Sequence, residues 1–333
     1  MNVLVTGGAG YIGAITADVL LRAGHRVTVI DDFSHGHRAA VPRDAALEEV
    51  NLLDLDATRK AFGRQRPEAV LHFAGHIQVG ESMEKPWKYL GDNVTAGLNA
   101  MHMAMEYGAK RFILSSTANL FDATGRGLIT EMTEIQPGSP YGESKRYLEI
   151  ALGWFEKTHG LRSVCLRYFN AAGATEDRGE DHEPETHLIP LVLRVAQGRL
   201  REAKIFGRDY DTPDRTCIRD YIHVSDLAEA HLLALEGEGS SVYNLGNGHG
   251  FSVQQVVDAA RRVTGHPIPT VNAPRRPGDV SVLVADSSKI RRDLGWTPRI
   301  TAIEDIVASA WRWMQRYPDG YQGDPLFSAG ASI

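Results

Sequence analysis

The sequence predicts an α/β protein built on a doubly wound parallel sheet, followed by a smaller C-terminal α/β lobe. The first half of the chain alternates short β-rich runs with segments long enough for helices, which is the pattern of βαβ units. The first run leads directly into a glycine-rich loop and an amphipathic helix. A chain of 333 residues with 43% hydrophobic residues also has room for two cores.

The predicted strands of the first half are short and rich in β-branched residues. They are NVLVT (2–6), HRVTVID (25–31), AVLHFAG (69–75), RFILSST (111–117) and RSVCLRYFN (162–170). Because parallel strands are buried on both faces, the intervening segments are expected to form helices on both sides of the sheet. The pattern weakens after Asn170, where a polar, acidic stretch is either a linker or a loop that closes over a ligand. We therefore divide the chain into residues 1–170 and 171–333, with some exchange of chain between the lobes.

The second half mixes helical and strand patterns. Helices are expected near 188–198, 252–264 and 302–316, and strands near 203–207, 241–246 and 281–286. The run YIHVSDLAEAHLLALE (221–236) is typical of a strand end that feeds a helix. The second lobe is therefore also predicted to be α/β.

Composition argues against several classes of function. The net charge of −6 and the pI near 6.1 provide no basic surface for nucleic acid. No apolar run approaches the length of a membrane span, and the N-terminus lacks the features of a signal peptide, so we expect a cytoplasmic protein with no membrane partner. Cys165 and Cys217 lack the Cys or His spacing of a metal site, so we expect two reduced thiols and no metal.

A dinucleotide site is predicted between the first strand and the first helix. The three glycines of this loop are Gly7, Gly10 and Gly13. Glycine permits a tight turn and a close approach of the backbone to a pyrophosphate at the helix N-terminus. The second strand ends at Asp31, where a carboxylate accepts hydrogen bonds from ribose hydroxyls, and with Asp32 it would repel a 2′-phosphate. A Rossmann-type lobe that binds NAD is therefore favoured, although His37 and Arg38 leave NADP open.

The run SPYGESK (139–145) predicts a helix start and a reactive pair. Ser139 is a good N-cap and Pro140 suits the first helical position. Tyr141 and Lys145 then share a helix face, where they form either a surface pair or a catalytic pair. A phenol with a pKa of about 10 is a poor base at neutral pH, but an ammonium about 4 Å away lowers that pKa by roughly three units. The pair therefore suits a base and the group that tunes it.

Further motifs occur in order along the chain. They are HFAG (72–75), VGES (79–82), SST (115–117), RYFNAAGA (167–174), ETHLIP (185–190), RDYIHVSDLA (219–228), YNLGNG (243–248) and PRRPGD (274–279). With the glycine loop and the Tyr/Lys pair, they resemble the extended short-chain dehydrogenase/reductase family and, within it, the UDP-glucose (UDP-galactose) 4-epimerases. The resemblance covers nearly the whole chain. It implies a first lobe that binds NAD, a second that binds a UDP-sugar, and a homodimer formed through helices near 92–107 and 141–157.

The resemblance also implies roles for individual residues. The catalytic positions are Thr117, Tyr141 and Lys145. The cofactor positions are Gly7, Gly10, Tyr11, Ile12, Gly13, Asp31, Asp32, Asn51, Leu52, Phe73, Ala74, Gly75, Asn93, Tyr141, Lys145 and Tyr168. The UDP-sugar positions are Thr117, Asn170, His187, Leu188, Arg219, Tyr221, Arg276, Asp279 and Leu283.

The chain departs from the family pattern at several cofactor contacts. The departures are Leu120-Phe121-Asp122 in place of Val-Tyr-Gly, Ile77 in place of a lysine, Ala14-Ile15 in place of Ser-His, and Asn51 in place of an aspartate near the adenine. The three reacting positions are intact.

The implied reaction inverts C4 of the sugar through a 4-keto intermediate. Tyr141 takes the 4-hydroxyl proton, Thr117 hydrogen-bonds O4, and NAD carries the hydride. The open alternatives are another UDP-sugar 4-epimerase (pentose or N-acetylhexosamine), a nucleotide-sugar dehydratase and a non-catalytic NAD-binding protein. A dehydratase needs an Asp-Glu pair where this chain has Ala118 and Asn119, and a non-catalytic protein would not need the intact trio.

Overall fold

The structure is a computed structural model that describes residues 1–121, 128–276 and 280–322. The strands are β1 (Asn2–Thr6), β2 (Arg26–Asp31), β3 (Ala46–Glu49), β4 (Ala69–His72), β5 (Arg111–Thr117), β6 (Arg162–Tyr168), β7 (Asn170–Ala172), β8 (Ala203–Phe206), β9 (Ile218–Arg219), β10 (Tyr221–His223), β11 (Ser241–Leu245), β12 (Phe251–Ser252), β13 (Thr270–Ala273) and β14 (Val282–Leu283). The helices are α1 (Tyr11–Arg22), α2 (Leu55–Gln65), α3 (Val79–Glu84), α4 (Pro86–Lys88), α5 (Val94–Glu106), α6 (Pro140–His159), α7 (Leu188–Ala196), α8 (Val224–Glu236), α9 (Val253–Thr264), α10 (Ser288–Leu294) and α11 (Ile303–Arg316).

The larger sheet is parallel throughout, with the strand order β11-β6-β5-β4-β1-β2-β3. β1 lies between β2 and β4, so that Val3 pairs with Val27 on one side and with Ala69 on the other. The order of the strands reverses at β1, and ligands bind in the crevice beyond the carboxyl ends of the strands at such a point. The predicted doubly wound fold is confirmed.

Alternate side chains of β1 supply the cores on the two faces of this sheet. Val3 and Val5 are buried with α1, α8 and α10, whereas Leu4 is buried with α2, α5 and α6. This alternation follows from the two-residue period of a strand, which sends successive side chains to opposite faces. The two helical layers hold the ends of the strands in fixed relative positions, which is what a site built from several strands requires.

Local capping fixes the start of α6, the helix that bears the Tyr/Lys pair. The Ser139 hydroxyl accepts a hydrogen bond from the Gly142 N–H at 3.2 Å, and Pro140 occupies the first helical position. Gly160, with φ of +72°, ends the helix in the left-handed conformation that favours glycine. The predicted helix start is therefore confirmed, and the helix runs on to His159.

The second lobe has three small sheets and its own core. The sheets are β10-β7, β12-β9-β14 and β13-β8, and α7, α9 and α11 pack together beside them. Two segments from beyond residue 170 return to the first lobe, because β11 is the edge strand next to β6 and α8 packs on α1. The division at residue 170 stays a prediction, and the exchange of chain between the lobes was part of that prediction.

Several elements differ from the sequence prediction, and three of them are instructive. β3 was not predicted, because its sequence ALEE is polar and it pairs only with β2 at the sheet edge. The strand predicted to run to Gly75 ends at His72, since Gly75 has a φ of +147° that turns the chain away. The strand predicted over 281–286 is confined to Val282–Leu283. Within the described ranges, none of the helices is long and apolar enough to cross a membrane.

Candidate active site

The glycine loop brings backbone close to backbone after β1. Gly7 has a φ of +69°, and a Cβ there would lie 2.5 Å from the Ala74 nitrogen. A Cβ on Gly13 would lie 2.3 Å from the Gly7 carbonyl oxygen. Gly10 precedes α1, and no side chain caps the N-terminus of this helix. Only glycine fits at positions 7 and 13, and the backbone N–H groups at the start of α1 suit a pyrophosphate.

Asp31 lies beside this loop at the end of β2. Its Oδ2 accepts a hydrogen bond from the Ala9 N–H at 2.9 Å, and its Oδ1 accepts one from the Phe33 N–H at 2.9 Å. Burial raises the pKa of Asp31, and the two backbone hydrogen bonds oppose that effect. The carboxylate is thus fixed beside the helix N-terminus, where the ribose of a dinucleotide would lie.

The other groups near Asp31 bear on the choice between NAD and NADP. Asp32 accepts hydrogen bonds from the Ser34 N–H at 3.0 Å and from its hydroxyl at 2.6 Å. Arg38 pairs with Glu49 at 2.5 Å, and its guanidinium carbon lies 4.3 Å from the centre of the Phe33 ring. Arg38 is therefore held by a carboxylate and a ring, which weakens the case for a 2′-phosphate at this position.

The remaining predicted cofactor residues lie beyond β4, along α5 and at the ends of β6 and β3. Asn93 is buried, and its side chain accepts from the His76 N–H at 2.7 Å and donates to the His76 carbonyl at 3.0 Å. The Tyr168 hydroxyl hydrogen-bonds the Ser115 hydroxyl. Leu52 is buried, whereas Asn51 is exposed and caps its own turn by accepting from the Leu53 N–H at 2.9 Å. Phe73 and Ala74 follow β4 directly.

The three predicted catalytic residues meet between β5 and α6. Thr117 ends β5, Tyr141 is the second residue of α6, and the Thr117 hydroxyl lies close enough to the Tyr141 phenol to act on its pKa. The same hydroxyl accepts from the Asn119 N–H at 3.1 Å and from its side-chain amide at 3.0 Å. The buried Lys145 ammonium donates to the Ser115 carbonyl at 2.9 Å. A strand end and a helix start thus gather a phenol, an ammonium and a hydroxyl in one site.

The protonation of the pair differs from the expectation. Burial raises the pKa of Tyr141 to about 12, and the Thr117 hydrogen bond acts in the opposite direction. Burial lowers the pKa of Lys145 to about 8, and the Glu149 carboxylate opposes that effect. The predicted lowering of the phenol pKa by Lys145 is therefore wrong for the protein by itself. The reason is that burial removes the phenolate from water, and the Thr117 hydrogen bond only partly opposes that cost.

A buried ion pair behind the reacting groups was not predicted. Glu149 accepts from the Ser116 hydroxyl at 2.5 Å, and it pairs with Arg167 at 2.5 Å. Both charged side chains are less than one tenth exposed. One signal was available, because Glu149 lies four residues after Lys145 and so shares its helix face. The partner on β6 could be found only from the packing of α6 on the sheet.

The predicted UDP-sugar residues gather along the short strands of the second lobe. Asn170 starts β7 opposite Tyr221 of β10, and its side chain donates to the Asp220 carbonyl at 3.0 Å. Arg219 on β9 pairs in register with Leu283 on β14, and its guanidinium donates to the Ile218 carbonyl at 2.9 Å. The two short sheets therefore bring residues that are far apart in sequence into neighbouring positions.

Two further substrate positions are only partly described. The exposed Arg276 places its guanidinium carbon 4.2 Å from the centre of the Phe206 ring, which follows from the pairing of β13 with β8. Asp279 lies outside the described residues, as does Asp122 of the departure from the family pattern. Leu283 is half-buried and packs against Leu120 and its neighbours just beyond Thr117, which is a predicted catalytic residue.

His187 lies immediately before α7, and Leu188 is the first residue of that helix. The His187 Nδ1 lies 2.8 Å from a Glu180 carboxylate oxygen and 2.9 Å from one of Glu185. Burial opposes protonation of this imidazole, but the two carboxylates raise the pKa of His187 well above its usual value. The sequence analysis did not predict the two carboxylates, although their spacing of seven and two residues before His187 was visible.

The glycine loop, Asp31 and the Thr/Tyr/Lys trio define a dinucleotide-binding enzyme of the doubly wound class. Residues 3–246 match the model of the NAD dependent epimerase/dehydratase family, and the chain belongs to that family. It is 46% identical over 330 residues to UDP-glucose 4-epimerase of Streptococcus mutans, covering 96% of this chain and 99% of the relative. The predicted family resemblance is confirmed, and NAD is the cofactor of the family.

Solved structures agree with this assignment. A crystal structure of a UDP-glucose 4-epimerase has a TM-score of 0.93 and 47% identity, covering 96% of this chain and 99% of the other. UDP-glucose 4-epimerase from Bifidobacterium longum in complex with NAD⁺ and UDP has a TM-score of 0.91 and 37% identity, covering 96% and 100%. The likeness extends over both lobes of the chain.

Proposed function

We propose that this protein interconverts UDP-glucose and UDP-galactose with a tightly held NAD. The observation that supports this most is the contact of the Thr117 hydroxyl with the Tyr141 phenol beside the buried Lys145 ammonium. This trio lies at the carboxyl end of β5, two strands from β1 and its glycine loop. A proton-transfer group therefore lies at the same sheet edge as a site for a hydride carrier.

The three side chains divide the chemistry at C4. Tyr141 takes the proton of the 4-hydroxyl in one direction and returns it in the other, because its phenol is the acid–base group within reach of Thr117. Thr117 holds O4, and the Asn119 amide orients its hydroxyl. Lys145 shares the helix face of the phenol, and we assign it a positive charge that assists Tyr141 only together with the bound cofactor. Bound NAD accepts the hydride from C4 and supplies it to the opposite face of the 4-keto sugar.

The buried phenol needs help to act as a base at neutral pH. With a pKa of about 12, Tyr141 holds its proton in the protein by itself. A positive charge near the phenol would lower its pKa, and each unit of that lowering corresponds to about 1.4 kcal/mol in favour of the phenolate. Tyr141 therefore needs an additional positive charge to act as a base at neutral pH. This requirement would couple the protonation of Tyr141 to the charge of the bound cofactor, so that the phenolate forms when the hydride acceptor is present.

The second lobe is proposed to hold the UDP moiety. Arg219 and Arg276 carry guanidinium groups, which match phosphate oxygens in shape and charge. His187, immediately before α7, is a predicted contact of the UDP-sugar in the same lobe. The division of labour follows the proposed boundary near residue 170, with the cofactor in residues 1–170 and the nucleotide-sugar in residues 171–333.

Neighbouring functions fit the site less well. Asn119 donates its amide to Thr117 at 3.0 Å and cannot supply the acid that a dehydratase needs there. An epimerase for N-acetylhexosamine or pentose differs only in the sugar pocket, so Leu283 is the position that discriminates among these substrates. A non-catalytic role would leave the contacts of the trio without a purpose.

We infer a homodimer that forms through α5 and α6. Their exposed large apolar side chains are Leu98, Tyr147, Ile150 and Trp154, with exposures between 38% and 58%. Such a surface suits a partner of the same shape, because a twofold axis places each helix pair against its copy. The buried free thiol of Cys165 suits a reducing compartment, so we infer that the protein works in the cytoplasm.

The test is conversion of UDP-galactose to UDP-glucose by purified protein with no added cofactor. Denatured protein is expected to release NAD, and Tyr141→Phe is expected to keep UDP affinity and lose on the order of 10²-fold or more in turnover. Tyr147→Phe on the same helix is the control, and it is expected to leave turnover unchanged. No conversion by protein shown to hold NAD, or near-normal turnover in Tyr141→Phe, would overturn the proposal.

A further inference from the structure

Four side chains with metal-binding groups lie together between β7 and α7. They are Glu180, His182, Glu185 and His187, here called the His/Glu cluster. One ligand atom from each lies within 4.8 Å of those of the other three. All four come from one run of eight residues, so a single short segment of chain supplies the complete set.

The distances show that the imidazoles face the carboxylates. One Glu180 oxygen lies 3.1 Å from the His182 Nδ1 and 2.8 Å from the His187 Nδ1. One Glu185 oxygen lies 2.9 Å from the same His187 nitrogen. In a tetrahedral site with metal–ligand distances of about 2.0 Å, ligand atoms are about 3.3 Å apart. Small shifts of these side chains would therefore place them around one ion.

The two carboxylates are withdrawn from water, and no lysine or arginine among the described residues forms an ion pair with them. The side chain of Glu185 is 0% exposed and that of Glu180 is 8% exposed. Across the described part of the chain, the ion-pair partners of these two carboxylates are His182 and His187. A bound ion would displace the imidazole proton of His187, and a divalent cation would then balance the two carboxylates.

An unsatisfied atom points independently to a ligand. The second carboxylate oxygen of Glu185 is buried and has no hydrogen-bond partner among the described residues. The first oxygen of the same group already accepts from the Thr186 N–H at 2.7 Å and the His187 N–H at 2.8 Å. A buried carboxylate oxygen with no donor is costly, and a bound cation removes that cost.

We propose that the His/Glu cluster binds one divalent transition-metal ion of the zinc type. Two imidazole nitrogens with two carboxylate oxygens favour Zn²⁺ and its neighbours over Mg²⁺ and Ca²⁺, which prefer oxygen ligands alone. Four protein ligands close the coordination sphere, which is the arrangement of a structural site. The spacing Glu-x-His-x₂-Glu-x-His contains no cysteine and differs from the usual Cys and His spacings of metal sites. For that reason the sequence analysis predicted no metal.

The position of the cluster indicates what the ion would hold in place. The His182 ring lies 6.4 Å from the ring of Tyr11, the first residue of α1 after the glycine loop. The Tyr11 hydroxyl donates to the Gly173 carbonyl at 2.6 Å. An ion at the cluster would therefore fix the connection between β7 and α7 against the dinucleotide loop. Because His187 is also a predicted UDP-sugar residue, binding of the ion is measured directly and not through activity.

The test is binding of Zn²⁺ and Co²⁺ by full-length, tag-free protein after treatment with a chelator. Equilibrium dialysis against micromolar Zn²⁺ is expected to give one ion per chain, and Co²⁺ is expected to show the intense visible absorption of a four-coordinate site. Bound Zn²⁺ is expected to raise the melting temperature. His182→Ala and Glu185→Gln are expected to lose the ion, while His266→Ala, which removes an exposed imidazole elsewhere, keeps it.

Circular dichroism identifies which of these variants fold, and Glu185→Gln preserves the shape of the side chain if His182→Ala does not fold. Failure of the wild-type protein to bind Zn²⁺ would overturn the proposal and leave the cluster as a network of histidine–carboxylate ion pairs. Equal binding by the wild-type protein and folded cluster variants would also overturn it, because the ion would then lie elsewhere.

Discussion

At the residue scale, Leu283 is the side chain expected to set the choice of sugar. It lies beside Arg219 in register and packs against Leu120 near Thr117. The family resemblance implies that this position borders the pocket for the sugar C2 substituent. An acetamido group would overlap the leucine at a cost of about 1–3 kcal/mol, which corresponds to roughly a ten- to hundredfold preference for UDP-galactose over UDP-GalNAc.

The variant Leu283→Ser is expected to improve kcat/KM for the N-acetylated substrates, since it opens the pocket. Comparing kcat/KM for both substrates in both proteins checks the prediction, and Val282→Thr on the same strand serves as a control. Equal rates in the wild-type protein, or no gain in the variant, would mean that the leucine only packs within the protein.

His72 on β4 gives a prediction for the pH dependence of stability. Burial lowers the pKa of His72 to about 3, with the Lys145 charge as the second cause. His72 therefore takes up a proton below about pH 6.5 in the unfolded chain, but only below about pH 3 in the folded chain. The free energy of unfolding therefore falls as the pH falls from about 6.5 to about 3. Between pH 7 and 4.5 the loss from this group is about 2 kcal/mol.

Urea unfolding of wild type and His72→Leu at the two pH values tests this expectation. The wild-type protein is expected to lose about 2 kcal/mol more than the variant over that range. Because each protein is compared with itself, the lost hydrogen bond of His72 to the Thr6 hydroxyl does not affect the difference. The same pH dependence in both proteins would show that His72 is not the group that titrates.

At the element scale, the packing of α6 on β6 depends on the buried Glu149–Arg167 pair. Removing one partner leaves the other charge buried, so Glu149→Gln is expected to lower the free energy of unfolding by about 3–5 kcal/mol. The double variant Glu149→Leu with Arg167→Met removes both charges and is expected to recover most of that loss. Urea unfolding measures all three proteins, and a loss below about 1 kcal/mol in Glu149→Gln would show that water reaches the pair.

Patterns local in sequence predicted most of the elements. The start of α6 followed from Ser139 and Pro140, and the glycine loop followed from its place between a strand and a helix. The ion pair of Glu149 with Arg167 joins residues on a helix and a strand, and only the packing of α6 on β6 brings them together. The raised pKa of Tyr141 was missed for a related reason, because it depends on the depth of burial.

At the scale of the whole molecule, the exposed apolar surface of α5 and α6 predicts a dimer. Trp154 is 58% exposed on α6, so Trp154→Glu would place a charge in the proposed interface and is expected to yield a monomer of 36.6 kDa. Met132→Glu, at a side chain that is 91% exposed on a loop, is the control and is expected to leave the mass unchanged. Light scattering after size exclusion gives the masses, and a monomeric wild-type protein would contradict the prediction.

The whole-molecule function depends on a hydride that leaves C4 and returns to the same carbon. A hydride held on a cofactor in the site does not exchange with water, whereas a proton taken by a side chain does. The direct measurement is the fate of the label when UDP-galactose with deuterium at C4 is converted in ordinary water with no added cofactor. We predict UDP-glucose that retains the deuterium at C4, whereas loss of the label to water would contradict the hydride mechanism.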